Sequence, residues 1–123
     1  MALLLSLGIL LPAGLSAGIF IEKDVPVPMR DGVVLRADVR RPSEDGKYPV
    51  LIFRTPYGKH EGDEDNEKTF AEAVKRGYAM VIQDVRGRYA SDGEFVAYQN
   101  EGRDGYDTIE WAAKQPWSDG RVG

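Results

Sequence analysis

Two short apolar runs constrain the fold of this chain more than any other feature. "VLIFR" (residues 50–54), bounded by Pro49 and Pro56, and "YAMVIQD" (residues 78–84) lack the polar alternation of a strand with one wet face; they read as strands buried on both faces. Between them lies "EKTFAEAVKRG", where Phe70, Ala73 and Val74 share a face, Asn66 is placed to cap the start and Gly77 to stop the end. That predicts a helix of about three turns. Two buried strands joined through a helix form a βαβ crossover, so the sheet between them is parallel.

The flanking segments extend the same pattern. Residues 19–27 are β-branched and aromatic enough for a strand, which Pro26 and Pro28 restrict to an edge or to its end. After the turn signal Arg30-Asp31-Gly32, Val33, Leu35, Ala37 and Val39 alternate with Val34, Arg36, Asp38 and Arg40, which predicts an antiparallel hairpin with one wet face. "RPSEDGKYP" is a polar connection, and "VRGRYASDGEF" a Gly-containing loop after the second apolar run. Residues 104–114 read as a second helix, with Tyr106, Ile109, Ala112 and Ala113 on its apolar face and Pro116 beyond its end. The closing "WSDGRVG" reads as a Ser-Asp-Gly turn followed by the start of a strand at Arg121, Val122 and Gly123. The predicted class is α/β, an antiparallel entry hairpin leading into a parallel sheet.

At 123 residues the chain is one domain, and 42% hydrophobic with 29% charged residues suits a globular protein rather than a disordered one. The 16 basic and 20 acidic side chains are interspersed, net −4, so no basic surface for a nucleic-acid backbone is expected. The absence of cysteine excludes disulfides, thiolate metal sites and a Cys nucleophile. "MALLLSLGILLPAGLSAG" has the apolar centre, Pro12 breaker and small-residue end of a signal peptide, expected over residues 1–18 with the folded part at 19–123, although no Lys or Arg precedes it. An uncleaved anchor over residues 2–20 or a mis-called start are the alternatives. A signal peptide implies a secreted or periplasmic protein; without one the expectation is cytoplasmic.

"MRDGVVLRADVRRP", "YPVLIFRTPYGK", "AVKRGYAMVIQDVRGRYASDGEF" and "EGRDGYDTIEWAAKQPWSDGRVG" together resemble the N-terminal part of the CocE/NonD hydrolases, the Xaa-Pro dipeptidyl-peptidase and cocaine-esterase-like family. The resemblance covers residues 25–123 and implies the N-terminal part of an α/β-hydrolase fold. It implies a serine hydrolase acting on a small ester, amide or peptide through an acyl-enzyme, without a cofactor. In that family the segment resembling "WSDGRVG" runs into a nucleophile elbow, with the Ser roughly five residues past the position of Gly123. The chain is therefore expected to be an N-terminal fragment without the nucleophile and inactive alone, with homo-oligomerisation of the parent left open. The alternatives are a small non-catalytic secreted binding domain, or an accessory subunit completed by a second chain.

Tyr57 is the one predicted site residue. In the resembled family, a Tyr hydroxyl at the position of Tyr57 in "RTPYGK" is an oxyanion-hole donor; the residue pattern alone favours a Pro-Tyr turn whose ring packs over the sheet. His60 precedes the place of the Ser in a fold whose triad His follows it, so it reads as a solvated loop residue. Glu61, Asp63, Glu64 and Asp65 lack the spacing of a calcium loop and read as a solvated charge run. Asp84, Arg86 and Arg88 in "QDVRGR" read as an Asp–Arg pair ordering the loop, with substrate contact by an arginine as the alternative. Ser91 reads as a turn serine, Asp104 as the cap of the second helix, and Trp111 and Trp117 as packing residues where helix meets sheet.

Overall fold

A computed structural model of the chain describes residues 18–60 and 64–123. The signal peptide expected up to residue 18, and Glu61 and Asp63 of the charge run, lie outside that range except for Gly18. Strands β1 (Phe20–Pro28) and β2 (Val34–Arg41) form the predicted antiparallel hairpin, closed by a turn in which the Met29 N–H donates to the Val33 carbonyl at 2.8 Å. β1 is an edge strand, where a proline's missing N–H can face away from the ladder. It carries an irregularity between Glu22 and Val25.

The chain continues through β3 (Tyr48–Thr55), α1 (Glu64–Lys75), β4 (Ala79–Asp84), α2 (Glu101–Ala113) and β5 (Ser118–Val122). The sheet order is β1-β2-β4-β3-β5; β2 and β4 run antiparallel, while β3 is parallel to both β4 and β5. Successive residues of β4 face opposite layers. Ala79 and Val81 join Leu35, Ala37, Val39 and Val50 in a core closed by Ala112 of α2 and by Trp117. Met80 and Ile82 meet Phe70 and Val74 of α1, and the Phe53 and Phe70 rings pack edge to face at 5.2 Å. No helix among the described residues is long and apolar enough to cross a membrane.

Several expectations are corrected. All residues of β4 are buried, but β3 buries only Val50 and Thr55, because α1 lies over β4 and the flanking β5 is short. Helix α1 starts at Glu64, ahead of the predicted cap Asn66; its acidic first turn, Glu64, Asp65 and Glu67, suits the positive end of the helix dipole. Gly77 does stop it, with the Gly77 and Tyr78 N–H groups donating to the Val74 and Ala73 carbonyls, a Schellman closure. Helix α2 starts at Glu101, so Asp104 is inside its first turn and not its cap.

The buried face of α2 is Asp104, Thr108 and Ala112, while Tyr106 and Ile109 are exposed. The sheet beneath its N-terminal half presents polar side chains: Thr108 Oγ1 donates to Gln83 Oε1 at 3.1 Å and Arg54 Nη1 to Glu101 Oε1 at 2.6 Å. The predicted Ser-Asp-Gly turn lies inside β5 as a bulge, and the Trp111 and Trp117 rings meet edge to face at 6.0 Å, as expected for packing residues at that junction. On the outer face of β2, Asp38 is buried and Arg40 pairs with Glu67 of α1, so the face expected to be wet is polar but covered.

Candidate functional site

The carboxyl ends of β3 and β4 lie side by side, with Thr55 opposite Asp84, and the loops leaving them build a shared surface. In open α/β sheets this edge is where ligands bind. Tyr57 is on the first loop and is 75% exposed, its ring standing clear of the sheet. The phenol borders a hollow of ≈ 400 Å³ together with Pro56, Val85, Arg88, Phe95 and Tyr98. Its backbone is held from both sides: the Tyr57 N–H donates to Thr55 Oγ1 at 3.0 Å, and the Pro56 carbonyl accepts Arg88 Nε at 3.0 Å.

Among the described residues Arg88 has no carboxylate partner of the predicted kind. Its guanidinium instead lies 5.1 Å from the Phe95 ring centre and 5.4 Å from that of Tyr89, arranging the aromatic wall of the hollow. Arg86 does form the predicted Asp–Arg pair, but its partners are Asp104 and Asp31 rather than Asp84. Arg86 Nε and Nη2 both reach the Asp104 carboxylate at 2.9 Å, and Nη1 reaches Asp31 Oδ2 at 2.9 Å. The hydrogen bonds it donates to the Asp104 and Asp31 carboxylates hold the Arg86 guanidinium above its ordinary pKa. Gly87 has φ +74°, and a Cβ there would fall 2.2 Å from the Phe95 backbone nitrogen, so the loop crosses itself where only glycine fits.

Asp84, fully buried, organises both loops. Its Oδ1 accepts the Lys59 N–H at 2.7 Å, its Oδ2 the Ala90 N–H at 3.1 Å, and its carbonyl the Ser91 hydroxyl at 2.6 Å. Ser91 also accepts the Arg36 N–H at 2.8 Å and is buried. It is the structural serine the sequence suggested, with its hydroxyl already committed.

Sequence reasoning missed Lys59. Gly58, at φ +98°, reverses the chain so that Tyr57 faces out and Lys59 in, leaving the Lys59 side chain 0% exposed. Its ammonium donates to Asp24 Oδ1 at 2.5 Å and His60 Nε2 at 2.9 Å, with Asp38 Oδ1 at 3.5 Å and Asp84 Oδ2 at 3.7 Å. Burial acts to lower the Lys59 pKa; the hydrogen bond it donates to Asp24 and the fields of Asp38 and Asp84 together outweigh it, so the net shift is upward. In "RTPYGK" the glycine signals a reversal of the chain, but not which of its neighbours turns inward.

His60 is half-exposed rather than freely solvated: with Nε2 accepting from Lys59, its Nδ1 faces Asp38 Oδ2 at 3.4 Å. Asp24, Asp38 and His60 are close enough to suggest a metal group among the described residues, but the Lys59 ammonium already supplies the positive charge there. Glu64 and Asp65 lie exposed in the first turn of α1 and take no part.

The ion pairs set a pH dependence. The hydrogen bond from Lys59 lowers the Asp24 pKa below its ordinary 3.8, and those from Arg86 and Arg30 do the same for Asp31 and Asp107. A depressed carboxyl adds stability above its unfolded pKa and loses it as pH falls through the folded value; Lys59, raised, adds stability below 10.5 and loses it as pH rises through its folded value. The urea midpoint of the full-length protein is therefore expected to be lower at about pH 3 than at about pH 7. Equal midpoints would show that these pairs contribute nothing.

A model of the X-Pro dipeptidyl-peptidase (S15 family) matches residues 31–123. A cocaine esterase from Rhodococcus sp. (strain MB1 Bresler) is 46% identical over 105 residues, which is 84% of this chain and 18% of that protein. Among solved structures, a CocE/NonD family hydrolase from Staphylococcus aureus superposes with a TM-score of 0.75 at 33% identity, covering 85% of this chain and 22% of that one. An alpha-amino acid ester hydrolase superposes with a TM-score of 0.69 at 29% identity, covering 85% of this chain and 20% of that one. The chain spans about a fifth of the length of the curated relatives it matches.

Proposed function

Because the chain belongs to the CocE/NonD hydrolases of the X-Pro dipeptidyl-peptidase (S15) family, we propose that it is the N-terminal part of a serine hydrolase in which the Tyr57 hydroxyl stabilises the oxyanion. The substrate is a small ester, amide or peptide, cleaved through an acyl-enzyme. The observation that carries this reading is the exposed phenol just past the carboxyl end of β3, on a loop fixed by Thr55 and Arg88. A phenol donates a hydrogen bond without carrying charge, and a donor pre-set toward the developing oxyanion lowers the barrier without reorganising during the reaction.

Strand geometry supports the placement. The Gly123 N–H donates to the Val50 carbonyl at 2.9 Å and its carbonyl accepts the Ile52 N–H at 2.8 Å, so Gly123 lies opposite Leu51 of β3. Parallel strands rise equally per residue, and five steps beyond Leu51 lies Pro56, next to Tyr57. A nucleophile roughly five residues past Gly123, as in the nucleophile-elbow arrangement, would then stand level with the start of the loop that carries Tyr57. In this reading the serine comes from sequence following β5, and the 123-residue chain by itself does not turn over substrate.

A fluorophosphonate probe tests this directly. The full-length protein is expected to take up one equivalent, mapped by peptide mass to a serine C-terminal to Gly123, with none on Ser43, Ser91 or Ser118. Labelling at Ser91, or stoichiometric labelling of the 123-residue chain, would defeat the proposal.

A further inference from the structure

We propose that Lys59 is a positioning residue for Tyr57: its buried ammonium, tied to Asp24, Asp38 and Asp84, fixes the height of the loop after β3 and so the place of the Tyr57 hydroxyl. This rests on the reading of Tyr57 as the oxyanion donor. The partners come from three different strands, Asp24 from β1, Asp38 from β2 and Asp84 from the end of β4. One side chain therefore anchors the loop to the whole entry half of the sheet. The Lys59 N–H to Asp84 Oδ1 bond, at 2.7 Å, pins the backbone at the same point.

The arrangement is a costly way to add stability, since the desolvation of buried charges offsets most of what their pairing gains. It is an effective way to fix a register. Only Gly58 separates Lys59 from Tyr57, so the inward and outward side chains are the two arms of one reversed turn, and a shift of one carries the other with it. An oxyanion donor has to lie within about 2.7–3.1 Å of the oxygen it serves, and a misplacement of about 1 Å can cost a hundredfold in rate. β1 takes part through its irregularity between Glu22 and Val25, where Asp24 adopts φ +53° and its N–H donates to Asp38 Oδ1 at 3.0 Å. That bulge aims the Asp24 carboxylate at Lys59.

The test is a double-mutant cycle in the full-length protein, with p-nitrophenyl acetate as substrate. Lys59→Met is expected to lower kcat about tenfold or more with KM within about twofold. Asp24→Asn replaces the ion pair by an ammonium–amide hydrogen bond at a side chain 56% exposed, at a φ that Asn accepts, and is expected to lower kcat at least about threefold while the protein stays folded. In a Tyr57→Phe background each change is expected to alter kcat less than about twofold, because the group being positioned is gone. Equal losses in both backgrounds, losses confined to KM, or no loss from Asp24→Asn would overturn the positioning role. If the unaltered protein does not hydrolyse the ester, or Tyr57→Phe alone leaves kcat unchanged, it is the oxyanion reading itself that falls. Should Lys59→Met not fold, Asp24→Asn decides the question alone.

Discussion

In the full-length protein, Tyr57→Phe is expected to lower kcat for p-nitrophenyl acetate by about a hundredfold or more, leave KM nearly unchanged, and leave the melting temperature where it was. The substitution removes one hydroxyl and keeps the ring. Loss of a single oxyanion donor typically costs about 2.7–4 kcal/mol of transition-state stabilisation, because the donor acts in a site where water does not substitute well for it. The effect belongs in kcat, since the oxygen carries its full charge only on the way to the tetrahedral intermediate. With the ring 75% exposed, little packing depends on it, and a change of more than about 0.5 kcal/mol in stability is not expected. An unchanged kcat would leave Tyr57 as one aromatic among those bordering the hollow.

Arg86→Met is expected to cost about 3–5 kcal/mol of stability, the range for breaking a buried pair from one side. Asp104, 1% exposed, receives two parallel bonds from the Arg86 fork, and with Met opposite it would be left as a buried charge without its partner. Against a total of about 5–15 kcal/mol for a typical domain, that is a large fraction. Asp31, the other partner, is 45% exposed at its side chain, and Asp31→Asn is expected to lower the urea midpoint far less than Arg86→Met does. Arg86→Lys should recover only part of the loss, because an ammonium cannot make the two parallel bonds. Urea unfolding of the full-length protein reads all three; a loss below about 1 kcal/mol for Arg86→Met would mean that water reaches Asp104.

The two losses lie on different links of one chain of cause. Arg86 ties the loop after β4 to α2 and to the β1–β2 turn, while Arg88 on the same loop binds the Pro56 carbonyl beside Tyr57. Damage at Arg86 is therefore expected to appear first as lost stability, and damage at Tyr57 as lost rate in a protein that is still folded.

Much of the fold could be read along the chain. The alternation of Leu35, Ala37 and Val39, the apolar run that became β4, the prolines of the edge strand and the stop at Gly77 are all local patterns, and each appears where it was expected. Periodicity of this kind reports which face a side chain occupies, and the hydrophobic effect acts on faces. Tyr57 came to notice through family resemblance, and its exposure at the hollow is a property of the folded loop.

The polar interior was decided elsewhere. Nothing local marks Lys59 as buried, Asp104 as an ion-pair partner instead of a cap, or the Asp104, Thr108 and Ala112 stripe as the inner face of α2 in place of Tyr106 and Ile109. Those outcomes depend on charges 35 residues apart in Lys59 and Asp24, and 18 apart in Arg86 and Asp104. The sequence by itself determined the order of strands and helices and the apolar faces that pack between them. Only the tertiary structure decided which charges go inside, because a buried charge is tolerated solely where an opposite charge arrives from another segment, and that meeting exists only once the sheet has assembled.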